Sequence, residues 1–142
     1  ARRDVMDVST PGDHGSTFGG KPLAAAVGHA ALSLLRDGEL IATAQRLGQR
    51  LRDGLHALQH PAIRSVRGKG LLIGLELDPR IISARSFCER LMENGVLSKE
   101  THHTVVRFAP PLIISAEEID AALRIIEHVF ATLPTPHTED CT

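Results

Sequence analysis

A chain of 142 residues, 42% of them hydrophobic, carries about one domain's worth of apolar core, so a globular protein is expected. Its 16 Lys and Arg nearly cancel its 17 Asp and Glu, and no basic run is long enough for a nucleic-acid or membrane-surface footprint, which leaves small molecules and protein surfaces as partners. Cys88 and Cys141 imply no disulfide framework, no apolar run approaches the ~18 residues of a membrane span, and Ala1-Arg2-Arg3-Asp4 lacks a signal-peptide core, so a reducing, cytoplasmic setting is expected.

Residues 9–20, STPGDHGSTFGG, hold four glycines and almost nothing apolar, which marks an exposed loop with special backbone angles. Pro22 suits the first turn of a helix, and Leu23, Ala26, Val27, Ala30, Ala31, Leu34 and Leu35 follow at three- and four-residue steps until Gly38. Three of those seven are alanine, so a neighbour is expected to approach closely. A second helix begins near Glu39 with Leu40, Ala44, Leu47, Leu51, Leu55 and Leu58 on one stripe, and His60-Pro61 ends it.

From there the period changes. Ile63–Arg67 and Leu71–Leu77 predict two strands around Gly68-Lys69-Gly70, the second with Leu71, Ile73, Leu75 and Leu77 on one face. Ser83 caps a helix with Phe87, Leu91 and Met92 that Asn94-Gly95 terminates. Val96–Ser98 and Val105–Phe108 are short strand candidates flanking a polar turn, Lys99–Thr104. Ser115 with Glu118 is a capping box that opens a last helix with Ile119, Ala122, Leu123, Ile126, Val129 and Phe130 inward, and beyond Leu133 a polar tail with two prolines is expected to fray. The result is an α+β unit, a small mainly antiparallel sheet with helices on one face, preceded by long linking helices.

Three places could carry chemistry. In Gly15-Ser16-Thr17 with Gly19-Gly20 ahead of a helix, hydroxyls, backbone N–H groups and a positive helix end could converge on a phosphate; a ligand-free connector is the alternative. Arg107 is the one charge in VVRFAPPLII, costly there unless an acid pairs with it, and its planar fork suits a substrate carboxylate; an arginine pointing outward from an edge strand or meeting a structural acid is the alternative. His14, His102 and His103 have no Cys or Glu at metal-ligand spacing, and on an extended strand the adjacent pair would point to opposite faces, so polar turn residues are expected and no metal site. Lys21, Lys69 and Lys99 sit before a helix, in a hairpin turn and in a polar loop, none in the dry pocket a Schiff-base lysine needs.

PGDHGSTFGGKPLAAAV resembles the PGxHGSTFGGNPxA motif of the class III aminotransferases, and VRGKGLLIGLEL resembles a strand pair further along in that family. NGVLSKETHHTVVRFAPPLIIS is similar to the ornithine branch through Lys-Glu-Thr-His and Arg-Phe-Ala-Pro-Pro-Leu, while the acetylornithine branch shares chiefly Arg-Phe-Ala-Pro-Pro. The likeness runs from Asp4 to about Leu133, with one departure at Lys21, where the family usually has Asn.

The resemblance implies the C-terminal small domain of a fold-type I enzyme dependent on pyridoxal 5'-phosphate. Residues 1–21 would be a remnant of the large cofactor domain, 22–61 interdomain helices, 62–133 the small domain and 134–142 a flexible tail. Ser16 and Thr17 would bind the phosphate of the cofactor held by a neighbouring subunit of a homo-oligomer, and Arg107 the substrate carboxylate. No catalytic residue is assigned in this chain, because the Schiff-base lysine would precede Ala1; an N-terminal cofactor domain or split subunit would supply it. The implied reaction passes the terminal amine of ornithine to 2-oxoglutarate. The alternatives are an acetylornithine or 4-aminobutyrate aminotransferase fragment, or a noncatalytic interaction subunit.

Overall fold

A computed structural model describes residues 2–10, 12–13 and 15–133. His14, Cys141 and the tail after Leu133, singled out above, lie outside them. The chain divides between Gly38 and Glu39 into two compact units. The first holds a short helix α1, Arg3–Met6, and α2, Pro22–Asp37, with Pro22 in its first turn and Gly38 at its C-cap as expected. No residue of α2 is buried, and Leu23, Val27 and Leu34 are 77%, 61% and 67% exposed.

The second unit opens on α3, Leu40–Ala57, and continues through β1, Ile63–Lys69, β2, Leu72–Leu77, α4, Ala84–Glu93, β3, Lys99–Thr101, β4, Val105–Phe108, and α5, Ala116–Ala131. The four strands form one antiparallel sheet in the order β1-β2-β4-β3. Leu71, Ile73, Leu75 and Leu77 all point into the core, as their two-residue period requires. There they meet Leu47, Leu51 and Leu55 of α3, Phe87 and Leu91 of α4, and Ile119, Ile126 and Phe130 of α5. Leu47, Leu51 and Leu55 of the α3 stripe are thus buried inside this unit. Phe87 and Phe130 stack tilted at 4.6 Å between ring centroids, and Arg50 of α3 grips Asp120 of α5 through two hydrogen bonds of 2.7 Å.

Backbone approach, as well as side-chain packing, fixes α3 on the sheet. Gly48 is buried in the helix, and a Cβ built there would lie 1.9 Å from the carbonyl oxygen of Gly70. Only glycine permits this contact. Gly70 itself takes a positive φ of 54° in the β1–β2 turn. Both helix caps of the C-terminal half follow the sequence reading: Ser83 Oγ accepts from the Ser86 N–H, and Ser115 and Glu118 form the reciprocal capping box.

One strand is displaced from its expected place. Val96–Ser98 is not a strand; β3 is Lys99–Thr101, inside what read as a polar turn. The reason lies at the end of α4, where Gly95 adopts a φ of 91°, its N–H donates to the Met92 carbonyl and the Val96 N–H to that of Leu91. That is a Schellman cap, and it consumes Val96. His102 and His103 then occupy a tight turn with φ of 53° and 62°, not the extended conformation considered above.

Candidate functional site

In the first unit the Gly-rich loop is organised by its own polar side chains. The Gly19 N–H donates to Ser16 Oγ at 2.9 Å, while the N–H and hydroxyl of Thr10 donate to Asp13 Oδ2 at 2.7 and 2.9 Å. The Thr10 backbone and side-chain donors hold the Asp13 carboxyl below its ordinary range, so it stays ionised but turned toward Thr10. Ser16 uses its oxygen as an acceptor and keeps its proton for another partner. Among the described residues Thr17 makes no side-chain hydrogen bond. The N-cap of α2, Lys21, adds no side-chain cap, so the first-turn N–H groups after Pro22, which has none, are left without a side-chain acceptor at that position.

Arg107 belongs to the second unit. The edge-strand alternative is corrected by the strand order, which places β4 in the interior of the sheet, between β2 and β3. Arg107 nonetheless points away from the core, since its neighbours Val106 and Phe108 are buried and it is exposed. Residues directly opposite in an antiparallel sheet share a face. The register Arg67–Gly74–Arg107–Lys99 therefore runs as one row across the side of the sheet opposite α3, α4 and α5. Glu76, on the same side, accepts from Arg67 at 2.8 Å and from the Ser65 hydroxyl at 3.0 Å, and Arg67 chiefly holds its carboxyl below the usual range. Among the described residues neither Arg107 nor Lys99 has an ion pair.

Sequence reasoning missed the place of Lys99 because it put the residue in a turn. The available signal was its spacing from Arg107 around a three-residue connection. Glu100, the next residue, faces the helices and pairs with Arg85 of α4 at 3.2 Å. Among the described residues no group of three or more His, Cys, Asp or Glu could hold a metal, and no helix is long and apolar enough to cross a membrane. Cys88 is buried, and burial pushes its thiol up. Lys21, Lys69 and Lys99 are all exposed.

The second unit is therefore an α+β domain whose sheet is covered by helices on one side and presents an arginine on the other. Residues 1–130 match the Aminotransferase class-III family, and the chain belongs to it. It is similar to ornithine aminotransferase 2 of Staphylococcus aureus, 54% identical over 130 residues, and to ornithine aminotransferase of Staphylococcus epidermidis, 53% identical over 131. Each alignment covers 92% of this chain and 32% of the relative, so the chain spans about a third of their length. Among solved structures, the ornithine aminotransferase of Toxoplasma gondii, described with partial occupancy of PLP at its active site, superposes with a TM-score of 0.76 at 47% identity, over 89% of this chain and 31% of that one. The acetylornithine aminotransferase of Elizabethkingia anophelis gives 0.77 at 42%, over 92% and 34%.

Proposed function

We propose that this chain is the C-terminal part of a cytoplasmic ornithine aminotransferase, which passes the terminal amino group of ornithine to 2-oxoglutarate and yields glutamate semialdehyde and glutamate. The observation that carries the reading is Arg107, a guanidinium on the face of the sheet opposite α3, α4 and α5 with no carboxylate partner among the described residues. Its five donors form a fork that matches a carboxylate in two parallel hydrogen bonds. Both substrates of the proposed reaction carry one.

The loop of the first unit fits the phosphate of pyridoxal 5'-phosphate. Ser16 keeps a proton to donate, Thr17 has a hydroxyl with no partner among the described residues, and α2 has no side-chain cap at its favourable dipole end. On this reading the loop completes the site of a neighbouring subunit in a homo-oligomer. The cofactor, when bound, supplies an electron sink for charge developing at the carbon that bears the amine. The residues of this chain anchor and orient: Ser16 and Thr17 the phosphate, Arg107 the substrate carboxylate. On this reading the lysine that attaches the cofactor belongs to the part of the relatives' length that this chain does not span.

A second reading, an acetylornithine aminotransferase, is favoured by the 42% identity to the Elizabethkingia anophelis structure. The test is an assay of the complete protein with 2-oxoglutarate as acceptor and ornithine, acetylornithine or 4-aminobutyrate as donor. Ornithine is expected to give the highest kcat/KM. A panel led by another donor overturns the ornithine assignment, and transfer from none overturns the aminotransferase reading.

A further inference from the structure

We infer that His60 is an acid-sensitive latch on the α3–β1 turn: unprotonated it ties the turn to the core, and protonated it lets the turn go. All of its parts lie in the second unit. The connection is short, running from the end of α3 at Ala57 to the start of β1 at Ile63. Within it Gln59 takes a left-handed φ of 44°, a conformation that a residue with a Cβ holds only when its surroundings enforce it. Pro61 sits second in a β-turn closed by the Ile63 N–H, which donates to the His60 carbonyl at 2.8 Å. Ala62 is fully buried, and its N–H donates to His60 Nδ1 at 3.1 Å.

A ring nitrogen accepts only while it carries no proton, so the neutral ring has its hydrogen on Nε2. The next proton goes to Nδ1. It turns the acceptor into a donor, sets two donors face to face and leaves a buried amide unpaired. On its other side the ring leans on Phe130 of α5, 4.9 Å between centroids and tilted by 35°, and Phe130 rests in turn on Phe87. A charged imidazole is drawn to an aromatic face, but that attraction does not replace the lost acceptor. The charged and titratable groups on the neighbouring elements are His56 of α3, Arg64 of β1, Asp78 and Arg80 beyond β2, and Glu127 and His128 of α5. Asp78 is committed to Arg64 and Arg80, and the others are exposed. None of them sets the proton affinity of His60, which burial alone pushes below its ordinary value. The stabilisation from His60 is therefore whole above the unfolded value of about 6.5 and is lost as pH falls through the lower folded value.

The experiment uses the 142-residue chain as wild type, His60→Asn and His60→Ala, and measures the tautomer and titration of His60 by NMR together with hydrogen exchange of the Ala62 amide, corrected for its intrinsic rate. Nδ1 is expected to be unprotonated at neutral pH. Protection of the Ala62 amide is expected to fall roughly three- to fivefold as the pH drops from about 6.5 to about 5.5. In His60→Asn, whose side-chain oxygen can accept from the same N–H and does not titrate, protection is expected to stay flat over that range. In His60→Ala it is expected to be low at every pH. A proton on Nδ1 at neutral pH overturns the latch without recourse to any variant. So does an Ala62 amide whose protection ignores pH in the wild type, and so does an equal acid loss in His60→Asn, which would assign the response to another group.

Discussion

Replacing Gly48 by alanine adds one methyl group where the structure has no room for it. The new Cβ would sit 1.9 Å from the Gly70 carbonyl oxygen and 2.2 Å from its carbon. Both obstacles are backbone, so relief requires α3 and the β1–β2 turn to separate by about 1 Å, against the packing of Leu47, Leu51 and Leu55 on Ile73 and Leu75. Overpacking of a tight core costs about 1–3 kcal/mol, and the backbone nature of this clash places it at the upper end. Alanine returns at most about 1 kcal/mol through its better helix propensity. The net expectation is a loss of about 2 kcal/mol, or a melting temperature lower by roughly 8–16 °C for a unit of this size. Gly54→Ala is the control, because its Cβ would meet only the end of the Leu123 side chain, at 2.4 Å from Cδ1, which can change rotamer. Its cost is expected to stay below about 1 kcal/mol. Thermal and urea unfolding followed by circular dichroism measure both. A Gly48→Ala protein that melts at or above wild type, or a Gly54→Ala protein that loses more, refutes the close approach.

Three further predictions concern different parts of the molecule. Asp78 is buried and accepts from Arg80 through side chain and backbone and from Arg64, with the Arg80 side chain chiefly responsible for a carboxyl held far below its usual range. A depressed carboxyl stabilises the fold above its unfolded pKa, so the melting-temperature gap between wild type and Asp78→Asn should be constant near neutrality and narrow as pH falls below about 4; a gap independent of pH contradicts this. In the complete enzyme Arg107→Ala should lower kcat/KM for both half-reactions by about 2–4 kcal/mol, roughly 30- to 700-fold, with Arg107→Lys recovering part and the melting temperature unchanged. Activity near wild type, or loss through unfolding, makes Arg107 structural. Finally, the exposed Leu23, Val27 and Leu34 of α2 should make the isolated chain self-associate at micromolar concentration, and a Leu23→Gln, Val27→Gln, Leu34→Gln variant should suppress it; a strictly monomeric wild type in sedimentation velocity rules this out.

Elements whose signals were local were legible from sequence. The two-residue period of Leu71–Leu77, the Ser115–Glu118 box and the Pro22 and Gly38 boundaries each depend on neighbours within a few positions, and each recurs in the structure. β3 was not legible, because its inward residue is Glu100, a carboxylate satisfied by Arg85, so the strand shows no apolar face. Val96 and Leu97 offered a better hydrophobic signal and proved to belong to a helix cap and the exposed surface. The periodicity of α3 was clear but its partner was not, since the Gly48–Gly70 contact depends on tertiary approach. Arg107 stood out as the charge in an apolar run; that it lies in an interior strand depends on the order β1-β2-β4-β3, which strand patterns alone do not specify.

The turn at His102 and His103 has a consequence for any attempt to change what the sheet face opposite the helices holds. Its span is set from both sides: the Ala84 N–H donates to the His103 carbonyl and the Leu77 N–H to that of Thr104. Because strand side chains alternate, a one-residue change in its length would carry every residue of β3 to the opposite side. Glu100 would then confront Arg107 as a tethered, permanent counterion, and Lys99 would be driven toward Arg85. The charge seen by an incoming molecule is thus specified by chain length between two strands as much as by residue identity. Exchange of this region between relatives should therefore move residues 99–107 as one cassette, turn included.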